Sequence, residues 1–301
     1  ADPETFLRDA SRSKLMPFLY VPFFLKESLA YFAAHRCIPA DKVTIYEYFI
    51  DRALERDCNR KKNRASRITP KARLYPHLEH LAFSMLMSQR MDVSHDELAV
   101  DMGMSEDVIE GLTDLSLITK GEGGDVTFVH NSFKEYILAK MLSGMDADTI
   151  KRLICYPGTE ILVPALNNVV VLMISLIQRQ QNWQNSEFKD WFVRRYPEIL
   201  IEVGPECLDE QTREMVFEDI YNDRKRKGLH LDYWRAPSLI AFASTPRAVR
   251  LVLRELENSV FLDANCMNAL RLAETADFTL LPADEHPHIA DVCMSLLELK
   301  D

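Results

Sequence analysis

His130 follows an apolar strand and stands directly before a helix. There a ring and a helix end are both set to meet an anion. From Leu117 to Gly144, LITKGEGGDVTFVHNSFKEYILAKMLSG, the pattern predicts a strand, a tight turn at Gly121 to Asp125, a second strand ending at His130, and a helix. Strand side chains alternate, so Val126, Phe128 and His130 share a face that two apolar residues turn inward. Ser132 with Glu135 predicts a capping box, and Phe133, Tyr136, Ile137 and Met141 fall on the buried side of the helix behind it. The positive end of that helix and the imidazole converge on one small region. An imidazole can donate to a phosphate oxygen, and a bound phosphate favours its protonated form. On residue type alone, a core histidine bonded to backbone is the other reading.

Other reactive groupings carry less. His77, Glu79 and His80 lie close on one helix, and His286 and His288 are flanked by Asp284, Glu285 and Asp291. Neither set has a further ligand at fixed spacing, so both read as surface histidines and no metal site is assigned. No Ser-His-Asp or Cys-His set follows from residue types alone, so no catalytic residue is assigned. Cys37, Cys58, Cys155, Cys207, Cys266 and Cys293 include no Cys-x-x-Cys pair, which removes the zinc-ribbon and redox-motif readings and leaves scattered core thiols in a reducing interior. Trp183, Trp191, Trp234, Tyr233 and Phe242 read as core. There is no Gly-x-x-x-x-Gly-Lys-Ser/Thr, no glycine is followed by lysine, and no apolar strand ends in an acidic pair for magnesium. This chain alone is expected neither to bind ATP tightly nor to hydrolyse it.

The elements that must position His130 are mainly helical. Only 9 of 301 residues are glycine and β-branched runs are short, which disfavours a turn-rich β fold. Pro22 suits the first turn of a helix that places Leu25, Leu29 and Phe32 on one face. Thr44 with Glu47 predicts a capping box for a helix burying Tyr46, Phe49, Ile50, Ala53 and Leu54. From Arg56 to Arg73, eight basic residues (Arg56, Arg60, Lys61, Lys62, Arg64, Arg67, Lys71, Arg73) face one acid, Asp57. This run of +7 leaves −10 − 7 = −17 on the remainder and reads as an exposed linker, rather than a nucleic-acid-binding or nuclear-address segment. An amphipathic helix from His77 to Gln89, a short one capped by Ser94 and Glu97, a third starting at Ser105, and the hairpin follow in the order of a winged helix-turn-helix. Between Met91 and Thr119 there is no Lys or Arg, whereas Asp92, Asp96, Glu97, Asp101, Glu106, Asp107, Glu110 and Asp114 crowd it. That stretch, together with the whole chain's net charge of −10, argues against DNA readout. After Gly144 come candidate helices at 147–155, 162–178, 187–201, 210–227, 233–243, 246–257, 265–276 and 287–299, resembling pairs stacked in a solenoid, with a compact bundle as the other arrangement. The longest apolar run, Val169 to Ile177, is too short to cross a bilayer, and no signal peptide is present, so a cytoplasmic protein is expected.

Phe-x-His, a polar pair, and then Phe-x-Glu-Tyr resembles the end of the winged-helix domain in NACHT-type STAND NTPases. LMPFLYVPFFLKESLAYF resembles the helical segment that follows the nucleotide-binding core there, with Pro22 at its adenine-side proline. IPADKVTIYEYFIDRAL resembles the next two elements. The ordered match covers about residues 6 to 143. It implies four parts: a helical domain at 1–56, a basic linker at 57–73, a winged-helix domain at 74–144 and a helical-repeat-like sensor region at 145–301. It also implies that His130 touches the β-phosphate of ADP in the off state while Pro22 packs near adenine. Exchange for ATP would then swing the winged helix outward and expose surfaces for homo-oligomerisation, after a protein trigger engages the C-terminal helices. Relatives act in antiviral or innate defence. ADP or ATP is expected only in an intact parent that supplies an upstream nucleotide-binding domain, and the missing initiator methionine favours a fragment of such a parent. The contrasting expectation is a stand-alone helical protein-interaction scaffold with no nucleotide role.

Overall fold

In the computed structural model, residues 3–12, 16–39, 41–62, 71–121, 123–180, 186–205, 208–232, 235–259 and 262–296 are described. The described residues are 74% helix, with sixteen α-helices and one two-stranded antiparallel sheet among them. It divides into two compact units, 1–176 and 177–301.

The first unit begins with α1 (Pro3–Arg12), α2 (Met16–Leu19), α3 (Pro22–His35) and α4 (Lys42–Lys62). Pro22 does occupy the first turn of α3, where its missing N–H costs nothing. The buried face of α3 is not the expected one. Phe24, Glu27, Ser28 and Phe32 are buried, whereas Leu25 and Leu29 are 36% and 43% exposed. The face that packs carries the phenylalanine rings of Phe24 and Phe32 and buries Glu27 and Ser28 with them. The expected capping box at Thr44 is also shifted: Asp41 accepts from the Thr44 N–H at 2.7 Å and its hydroxyl at 2.8 Å, while Glu47 pairs with Lys140 at 3.7 Å. Along α4, Tyr46, Ile50, Ala53 and Leu54 are buried as the stripe requires.

The basic run does not begin as a loop. Helix α4 continues through Lys62, and Lys71 to Arg73 already belong to α5 (Lys71–Met87); residues 63–70 lie outside the described part. The one acid of the run explains why. Asp57 is 6% exposed and accepts from the Ser116 N–H at 2.8 Å, while Arg56 donates to the Ser116 hydroxyl at 2.8 Å. A buried carboxylate needs such partners, and they fix the end of α4 against a turn far along the chain.

Helix α5 starts six residues before His77, because Leu74 extends the buried stripe of Leu78, Leu81, Ala82 and Met85. Next comes a single π-helical turn at Glu97–Asp101, opened by the expected reciprocal box: the Ser94 N–H donates to Glu97 Oε2 at 2.8 Å, and the Glu97 N–H to Ser94 Oγ at 3.2 Å. Hydrogen bonds from Arg90 and Ser94 hold the Glu97 carboxylate down to about 2. Its folded value lies below the unfolded value of about 4.3, so its contribution to stability is present above that pH and is lost as pH falls towards about 2. Melting temperatures across that window are expected to fall less steeply in Glu97→Gln than in the parent chain. Parallel profiles would contradict the coupling.

Helix α6 (Glu106–Thr113) leads into β1 (Ile118–Lys120) and β2 (Val126–Phe128), which pair as Ile118↔Phe128, Thr119↔Thr127 and Lys120↔Val126. Val93 adds an antiparallel bridge to Val126. Helix α7 (Asn131–Ser143) then packs on α4, α5 and β2. Phe133, Tyr136, Ile137, Leu138, Ala139 and Leu142 are all at most 1% exposed, so α7 is buried along most of its length and forms the centre of the unit. Helix α8 (Ala147–Ile154) and α9 (Asn167–Arg179) follow, and α9 runs across the boundary between the units.

The second unit contains α10 (Ser186–Arg195), α11 (Pro197–Val203), α12 (Glu210–Lys227), α13 (Arg235–Ala243), α14 (Pro246–Glu257), α15 (Ala264–Ala273) and α16 (His286–Leu296). The helix expected over 187–201 is two helices. Tyr196 turns the chain (φ −135°, ψ 49°) because the residue before a proline avoids the helical region, and Pro197 restarts the helix from its first turn. Asp209, Thr245 and Asp263 cap α12, α14 and α15, and Gly228 closes α12 in the left-handed region at φ 61°. From α11 onwards the helices touch the next but one: α11 meets α13, α13 meets α15, α12 meets α14, and α14 meets α16. Trp191 and Phe242 are buried, as expected; Trp183, Tyr233 and Trp234 lie outside the described residues. Cys155 and Cys266 are buried too, but Cys37 is exposed, against the expectation of core thiols throughout.

Candidate functional site

The strand face carrying His130 turns inward as its alternation requires. Val126 and Phe128 are 0% and 7% exposed, and Val129, on the other face, is 56% exposed. His130 is half-buried. Backbone pairing ends just before it, and His130 itself, extended at φ −141° and ψ 133°, is the N-cap of α7. The cap expected at Ser132 is therefore two residues too late. His130 Nδ1 accepts from the Ser132 N–H at 3.3 Å and also meets the Ser132 hydroxyl. The expected partner Glu135 instead accepts from the Asn131 side chain at 3.2 Å. Burial raises the Glu135 carboxyl above its ordinary range, against the lowering effects of an Asn168 hydrogen bond and the charges of Lys134 and His130.

Aromatic rings set the plane of the imidazole. Phe23 stacks on it with centroids 5.8 Å apart and planes 26° apart, Phe24 meets it edge-on at 6.2 Å, and Phe133 lies tilted at 5.9 Å. Phe133 in turn stacks on Phe49 at 4.9 Å and receives the edge of Phe23 at 5.2 Å. Behind Ser132 stands Tyr46, whose phenol is pushed up to about 12, chiefly by burial; a hydrogen bond with the Ser132 side chain lowers it, and the Glu135 charge raises it further. Ser132 is 8% exposed, and its hydroxyl lies against the ring nitrogen that its own N–H meets.

Pro22 lies on the exposed rim of this cluster, at the residue before Phe23. The two site positions singled out in the sequence are thus brought into one neighbourhood through Phe23. Sequence reasoning missed Phe23, Phe24 and Tyr46 as the walls of the site. The available signal was their place directly after Pro22 and within an aromatic-rich helix.

No protein-family model matches the chain, and no curated protein matches it. The histidines near the C-terminus each have a partner. His288 bonds Glu257 at 2.6 Å, and His286 reaches the Leu281 carbonyl at 3.3 Å. Burial lowers His77 and raises Glu79. Among the described residues, no three His, Cys, Asp or Glu side chains are grouped to hold a metal ion, and no helix is long and apolar enough to cross a membrane.

Proposed function

We propose that the chain is the regulatory and sensor segment of a NACHT-like STAND signalling ATPase. In this reading it helps hold ADP in the off state and transmits trigger binding to oligomerisation, plausible work for an antiviral or innate defence protein in the cytoplasm. The observation that carries the reading is the stacking of Phe23 on His130. It joins the helix opened by Pro22 to the imidazole at the start of α7, the two places where the resemblance puts adenine and the β-phosphate. The half-exposed ring and the N-terminus of a thirteen-residue helix are suited to an anionic oxygen.

Two further features support the reading. The order of α5, the π-helical turn, α6 and the β1–β2 hairpin fits a winged helix-turn-helix, with Val93 supplying the short third strand. The alternate contacts among α11 to α16 fit stacked helical pairs, an architecture that offers a long surface to a protein trigger. DNA is not part of the proposal, because Glu106, Asp107 and Glu110 of α6 are exposed acids. The nucleotide core is proposed to lie upstream, since this sequence has no phosphate loop.

The test is nucleotide retention by the protein made with the coding sequence that precedes Ala1. The parent is expected to purify with ADP. In that background His130→Ala should weaken ADP retention roughly tenfold or more, as expected for loss of a hydrogen bond to a charged group, and should raise spontaneous oligomerisation. Unchanged retention would remove His130 from the nucleotide site.

A further inference from the structure

We infer that the Ser132 hydroxyl, with its backbone N–H, locks His130 in the tautomer whose proton sits on Nε2, so that the ring presents an N–H donor in one fixed direction. The argument begins with the cap. A backbone N–H can only donate, so the nitrogen it meets must offer a lone pair. His130 Nδ1 is that nitrogen, and the neutral ring must then carry its proton on Nε2. The Ser132 hydroxyl approaches the same Nδ1 and can donate to it, with Tyr46 behind to orient the hydroxyl. Glu135, on α7 itself, is in electrostatic contact with the ring. Phe23, Phe24 and Phe133 hold the ring plane, so the direction of the Nε2–H is fixed along with its protonation.

The lock adds to the sequence-based expectation, which placed a ring at the helix start without assigning its tautomer. It rests on the proposed function only for the identity of the group that Nε2–H meets, which would be an anionic phosphate oxygen. The tautomer is a property of this chain and can fail or stand without nucleotide. Ser132 and Tyr46 are accordingly positioning residues. Ser132 makes no contact with ligand in this account.

The experiment is a two-bond proton–nitrogen correlation on the full chain labelled with ¹⁵N-histidine, at a pH where His130 is neutral and without nucleotide. His130 is expected to show an unprotonated, pyridine-type Nδ1 and a protonated, pyrrole-type Nε2. Ser132→Ala should move both nitrogens towards the averaged values of a free imidazole, and Ser132→Thr should restore them. A protonated Nδ1 or averaged nitrogens in the parent chain, or a Ser132→Ala spectrum identical to the parent's, overturns the inference.

Two isosteres separate the nitrogens by amide exchange. His130→Asn keeps an acceptor at the δ position and lacks the ε donor, so the Ser132 amide should exchange as in the parent. His130→Gln has the reverse character and should speed that exchange roughly fivefold. Equal exchange in the two variants also overturns the lock. Because neither readout uses ADP, a result against the tautomer is distinct from a result against the nucleotide-holding role.

Discussion

Phe133→Ala is expected to destabilise the first unit by about 3–5 kcal/mol, the range for removing a fully buried phenylalanine. The side chain is 1% exposed and sits on α7, the helix that the unit is built around. It lies flat against Phe49, with planes 8° apart, and takes the edge of Phe23, so its loss opens a cavity between α3, α4 and α7. Aromatic pairs add about 0.5–1.5 kcal/mol beyond the area they bury, which places this site towards the upper part of the range. The same ring is one wall of His130, so the variant should also loosen the imidazole. Denaturant unfolding followed by far-UV circular dichroism measures the loss. Trp183, Trp191 and Trp234 all lie in the second unit, so tryptophan emission follows that unit separately. As a control, Val129→Ala alters a side chain that is 56% exposed on the opposite strand face and should stay within about 0.5 kcal/mol. A Phe133→Ala loss as small as the control's would mean that the ring stack does not hold the unit together.

How far the sequence could be read depended on whether a signal was local. The hairpin, the Ser94–Glu97 box, α12 and α14 were legible because alternation, capping and helical period act within a few residues. The face of α3 was not, because its buried side carries Glu27 and Ser28 between Phe24 and Phe32, so an apolar period points to the other side and only packing against α4 decides. The basic run concealed a buried acid for a similar reason: Asp57 is anchored by Ser116, 59 residues away, and nothing local marks that partner. At the candidate site, the inward strand face and the helix behind it were legible. The cap was misplaced because Ser132 is a common N-cap type, whereas here the preceding histidine supplies the acceptor. The stacking of Phe23 on His130 is a tertiary contact, and its only trace in sequence was the ordered pattern that linked Pro22 to His130.

In the second unit a large effect is expected at Asn268, a polar side chain that is 1% exposed. Its Oδ1 accepts from the Leu231 N–H at 2.6 Å and its Nδ2 donates to the Leu229 carbonyl at 2.9 Å, so one amide on α15 satisfies both edges of the segment after α12. Arg271, one turn on, donates to the Leu231 carbonyl. Asn268→Ala would strand the buried Leu231 N–H and the partly buried Leu229 carbonyl. An unsatisfied buried group costs about 1–3 kcal/mol, and water can reach the second of these more easily than the first, so a loss of roughly 2–4 kcal/mol is expected. Exchange of the Leu231 amide should accelerate accordingly, which assigns the loss to this clamp and not to a general loosening. Asn268→Asp sharpens the test. Protonated, the new carboxyl can both accept and donate; ionised, it is a buried charge facing a carbonyl. Its folded pKa should therefore rise above the unfolded value of about 3.9. The deficit should be small in acid below that value and should grow as pH rises through the folded pKa. A deficit that does not change with pH would show that the side chain fills space at this position without holding the Leu229–Leu231 backbone.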